Sequence, residues 1–107
     1  MIKRAILEYL VPSKPYGDVF RPSREPAKTI YDAFQKEAEN RTSREFEDWT
    51  EAETQAVHKA ACKYAEEHGL PIPTIEDVRD AEISASGHID YAAKWAYRVA
   101  EKMRLKA

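Results

Sequence analysis

His58 and Cys62 stand four residues apart, a spacing that places two side chains on one face of a helix. A thiol beside an imidazole can act as nucleophile and base, or as two ligands of a metal ion. The rest of the sequence argues against both. Structural zinc takes four nitrogen or sulfur ligands, usually in close pairs. This chain offers one such pair, with only His68 and His88 to add, and no His-Glu-x-x-His run. Reactive thiols sit at helix N-termini or beside cations, whereas Cys62 falls inside a long helical pattern. The expectation is no bound metal, no cofactor and a His–Cys pair partly buried in a helix interface.

The run Gly87-His88-Ile89-Asp90-Tyr91 is the other place where chemistry could gather. A His and an Asp at a helix start can hold an anion, or act as acid and base. The same residues also make an ordinary helix start. Gly87 turns the chain, Ser86 or His88 caps, and Asp90 meets the positive end of the dipole. The structural explanation needs fewer coincidences, so no catalytic residue is assigned. There is no glycine-rich phosphate loop, and no carboxylate pair stands out from the acidic background.

A third set of residues suits recognition instead. Pro12 to Pro26 holds four of the six prolines, and within it Tyr16 and Phe20 are surrounded by Lys14, Arg21 and Arg24. Aromatic and Arg side chains are frequent anchors of binding surfaces. Prolines reduce the ordering cost that a loop meets on binding. Tyr16, Phe20, Arg21 and Arg24 are therefore the candidate partner-binding residues. The competing reading is that this loop crosses the helices and buries both rings in the chain's own core.

These residues must be positioned by helices. Ile2 to Val11 reads equally as helix or strand, because Ile2, Ile6 and Leu10 fit one period and Lys3, Ala5, Leu7, Tyr9 and Val11 the other. Ser23 is placed to cap a helix whose face is Ala27, Ile30, Ala33, Phe34 and Ala38, ending near Asn40. Thr42 to Glu45 reads as a capping box opening a short turn, with Phe46 and Trp49 inward. Thr50 to Glu53 reads as a second box, opening a helix that Gly69 and Pro71 stop. That helix shows two apolar faces: Ala56, Val57, Ala60 and Tyr64 on one, Ala61, Cys62, Ala65 and His58 on the other. Such a helix is either sandwiched in its domain or packs on another chain. Self-association through Ala61, Cys62 and Ala65, giving a homodimer, is the expectation that follows.

Thr74 caps the next helix, with Glu76 and Asp77 in its first turn. The last helix carries the clearest stripe: Ile89, Ala92, Ala93, Ala96, Val99, Ala100 and Met103, with Trp95 and Tyr97 at its edges. The fold class is mainly α: a compact bundle of about four helices in one domain over 1–107. Residues 1–11 form a first element, helix or short N-terminal strand, and 12–26 a Pro-rich loop.

Charge bounds the function. The net charge of −2 divides unevenly. Residues 1–31 hold six Lys/Arg against three Asp/Glu, residues 32–89 six against fourteen, and residues 90–107 five against two. The basic ends either lie against the acidic middle or meet each other as a basic patch for an anionic partner. The two helices from Thr74 onward invite a helix-turn-helix reading, but Glu76, Asp77, Asp80 and Glu82 would repel phosphates. No apolar run approaches the ~18 residues of a membrane span, and a secretory signal is not expected. A single cysteine excludes an internal disulfide and suits a reducing cytoplasm. The expected function is a small cytoplasmic protein-interaction or regulatory module without catalytic activity. A nucleic-acid-associated regulator is the alternative, and a small enzyme using His88 and Asp90 comes third.

Overall fold

The computed structural model describes residues 20–39 and 46–105. Ile2 to Val11, Tyr16 and the Thr42–Glu45 capping box lie outside those residues, and Phe46 and Trp49 lie outside the described side chains. Within them the chain forms four helices and no strand: α1 (Ala27–Ala38), α2 (Phe46–His68), α3 (Ile75–Ala85) and α4 (Tyr91–Leu105). Helix α1 packs against α2 and α4, while α3 joins the bundle mainly through α4.

The N-cap of helix α1 lies three residues beyond the Ser23 expected to cap it. Pro26 occupies the N-cap position without a side-chain bond. The Glu25 carboxylate takes over, accepting from the Thr29 N–H at 2.8 Å and from the Thr29 hydroxyl. An anion here also meets the favourable end of the helix dipole. Ala27, Ile30, Tyr31, Phe34 and Ala38 form the buried face.

Helix α2 is one continuous element where two were expected. Thr50 lies inside it and receives the Thr54 hydroxyl on its carbonyl at 3.0 Å. A Ser/Thr-x-x-Glu pattern reads as a start only where the preceding residues leave the helix, and here the backbone bonds run straight through. Glu53, which would have closed that box, is buried. The helix stops as expected. Gly69 takes a positive φ of 65° and the Leu70 N–H reaches back to the Ala65 carbonyl at 2.9 Å, a Schellman closure that needs the left-handed conformation glycine tolerates.

Helix α3 opens on the capping box of Thr74 and Asp77, each side chain accepting from the other's backbone N–H at 3.1 and 3.0 Å. Gly87, with φ 87°, then turns the chain into α4. The expected stripe on α4 is displaced at its start. Ile89 sits in the turn and is 89% exposed, so it is not a core residue. The Asp90 carbonyl accepts from the Lys94 N–H at 2.9 Å, which makes Asp90 the residue from which the helix springs. Trp95 lies at the centre instead of the edge. Its indole N–H donates to the Val78 carbonyl at 3.1 Å and its ring meets Phe34 edge-on, with centroids 5.2 Å apart. Tyr91 completes the cluster and donates its hydroxyl to Glu82 at 2.7 Å.

Candidate functional site

The residues that suggested chemistry resolve into structural roles. His58 Nε2 lies 3.1 Å from the Pro73 carbonyl and 3.3 Å from Cys62 Sγ. Which ring nitrogen carries the proton sets the roles: protonated, Nε2 donates to the Pro73 carbonyl; unprotonated, it accepts from the thiol. Burial, with a smaller contribution from Glu66, pushes the Cys62 thiol above its ordinary range. That is opposite to what an active thiolate needs. The imidazole and the thiol instead hold the connector between α2 and α3 against α2, for Cys62 Sγ also reaches the Pro73 carbonyl at 3.7 Å.

His68 stacks on Tyr64 with ring centroids 3.9 Å apart, and its Nδ1 lies 3.0 Å from the Tyr64 carbonyl. It is held on its own helix. His88 is exposed in the turn, with Asp90 two residues on, and no hydrogen bond joins their side chains. Among the described residues no group of three or more His, Cys, Asp or Glu could hold a metal ion. No helix among them is long and apolar enough to cross a membrane.

Two of the three residues of the expected self-association face are buried within the chain. Ala61 and Ala65 are 0% exposed, and Cys62 is partly buried, its sulfur 3.7 Å from the Pro73 carbonyl. The small residues that would let a second copy approach are used by the close approach of this chain's own helices. The two faces expected of α2 are the two flanks of a helix sandwiched in its own bundle.

The expected partner-binding residues part company. Arg21 makes a bidentate pair with Asp32 of α1, Nε to Oδ1 at 2.9 Å and Nη2 to Oδ2 at 2.7 Å, which ties the loop to the helix. Phe20, beside it, is half-exposed. Arg24 goes elsewhere. It lines a groove of about 560 Å³ between the start of α1, the connector and the C-terminal half of α4. Glu25, Pro26 and Ala27 form one wall, Leu70 and Pro71 the second, and Tyr97, Ala100, Glu101, Met103 and Arg104 the third.

Local sequence explains each wall. The Schellman turn at Gly69 swings Leu70 outward, where it is 39% exposed, and the His58–Pro73 contact holds the far end of the connector. Tyr97 stands just off the buried stripe of α4 and is 49% exposed. Ala100, one turn further on, is too small to fill the space beside it. Sequence reading placed Arg24 among recognition residues and Tyr97 at the edge of a stripe, and counted Arg104 only within the basic segment 90–107. It had no means to join them, because 80 residues separate Arg24 from Arg104. No protein-family model matches this chain, and no curated protein and no solved structure is significantly similar to it.

Proposed function

We propose that the protein is a small, non-catalytic interaction module of the cytoplasm that binds a protein partner through the groove between α1, the connector and α4. One observation carries this reading. Leu70 and Tyr97 remain substantially exposed while lining one concave, largely apolar surface with Arg24 and Arg104 at its rim. A concave apolar surface with a few charged groups is the usual form of a binding site, and Tyr and Arg are the residues that most often dominate binding energy. The structural roles of His58, Cys62 and His68 favour this over an enzyme.

A photo-crosslinking amino acid placed at position 97, in the native host, tests the proposal. The same residue at position 63, exposed on α2, is the control. A discrete crosslinked species from position 97 and none from position 63 is the expected result. Equal labelling from both positions, or none from position 97, overturns it.

A further inference from the structure

The charges around the groove say what kind of partner it fits, an argument that rests on the interaction reading above. Two carboxylates and two guanidinium groups border the apolar surface, yet they are not equivalent. Glu25 is engaged by Thr29, whose N–H and hydroxyl both donate to it at 2.8 Å. Glu101 faces Arg98 at 3.7 Å. Arg24 and Arg104 make no ion pair or side-chain hydrogen bond among the described residues. One comes from the basic first segment of the chain and the other from the basic last segment, and folding sets them on the same groove.

We infer that the occupant is an acidic peptide segment of a partner protein, anchored by an aliphatic or aromatic side chain between Leu70 and Tyr97. Its Asp or Glu side chains meet Arg24 and Arg104. The guanidinium fork accepts a carboxylate in two parallel hydrogen bonds. A basic segment would find the rim carboxylates already engaged and the two arginines repelling it. An uncharged segment would cover part of the arginines' hydration without supplying a counter-charge. A space of about 560 Å³ exceeds a single side chain and suits a few consecutive residues.

The test is a display selection with a random twelve-residue peptide library on the immobilised full chain, run in parallel on an Arg24→Glu/Arg104→Glu variant. The wild-type chain should enrich peptides that place two or more Asp/Glu beside a Leu, Ile, Phe or Trp. Synthetic copies should lose at least tenfold in affinity on the charge-reversed variant and on Tyr97→Asp, and weaken with added salt. Replacing their Glu by Lys should restore binding to the reversed variant. That swap also shows that the variant is folded.

Enrichment of basic or uncharged peptides that Tyr97→Asp still abolishes overturns the acidic assignment and leaves the interaction reading standing. No enrichment, or enriched peptides indifferent to both variants, overturns the peptide inference, and the crosslink at position 97 then decides the broader reading separately. A single-stranded oligonucleotide bound more tightly than any selected peptide, and lost on charge reversal, would assign the arginines to phosphate. A dimer in sedimentation, dissociated by the same reversal, would place a second copy in the groove. Either result overturns the inference.

Discussion

Trp95 and Tyr97 lie two residues apart on the same helix and meet opposite environments. Trp95 is 1% exposed and Tyr97 is 49% exposed. The region around Trp95 is closed on every side: Phe34 edge-on from α1, Tyr91 from the previous turn, and the Val78 carbonyl of α3 receiving the indole N–H. The region around Tyr97 is bounded by the same α1 and α4, but the third side is a six-residue connector in place of a helix. An extended segment braced by prolines cannot cover what a helix covers. The bundle is therefore sealed where α3 lies on α4 and left concave where the connector crosses. The groove follows from which element closes the third side, since aromatic residues stand on both parts of α4.

The largest effect should come from opening the sealed side. Trp95→Ala removes a fully buried ring and should cost roughly 3–5 kcal/mol, a major share of the ~5–15 kcal/mol available to a small domain. Thermal unfolding measures it. A change below about 1 kcal/mol would mean that this region is not the closed one. Trp95→Phe, which keeps most of the ring but not the indole N–H, should fall well short of that loss.

The connector that forms the open side is held by the His58 contact, so His58→Ala should cost about 1 kcal/mol, the usual worth of a hydrogen bond. The loss should appear as faster amide exchange from Leu70 to Thr74 while the backbone of α4 around Trp95 stays protected. Equal acceleration in both regions would show that the two do not differ in local stability.

Cys62 sharpens the comparison through chemistry. With the thiol held above its ordinary value of 9.0, alkylation by iodoacetamide near neutral pH should be slower than in the unfolded chain, which carries the same single cysteine. The pH dependence has a definite sign. The fold favours the protonated thiol, so this contribution is present below pH 9 and is lost as pH rises through the higher folded value. An alkaline decline in stability that is absent in Cys62→Ala is the expected observation. A thiol as reactive folded as unfolded would mean that the connector does not cover it.

The smallest effect belongs to the open side itself. Tyr97→Ser should change stability by no more than about 0.5 kcal/mol, as substitutions at exposed positions usually do, while binding through the groove is lost. A thermal loss comparable to that of Trp95→Ala would erase the distinction between the two regions and return Tyr97 to the core.

Much of this was legible in the residues. The Thr74 cap with acidic residues in the first turn, the Gly69 stop and the small-residue stripe of α4 are local patterns. Each depends on backbone geometry and side chains within a few positions, which a sequence carries intact. Two readings failed for one shared reason, and the burial of Ala61 and Ala65 was hidden for the same one. The Thr50 box and the inward Ile89 were each judged from spacing alone. Spacing does not say whether the previous turn stays helical, where a helix begins by two residues, or which neighbour covers a face.

Residue order alone makes this chain mainly helical, marks roughly where its helices stop, and gathers basic residues at its two ends. It took the packed helices to bring Arg24 and Arg104 to one groove, to tie Arg21 to Asp32 instead, and to set His58 and Cys62 against a connector. The two kinds of information differ in range. Capping and periodicity act over a turn or two of backbone, whereas the pairing of distant side chains depends on how α1 and α4 pack, which no local pattern encodes.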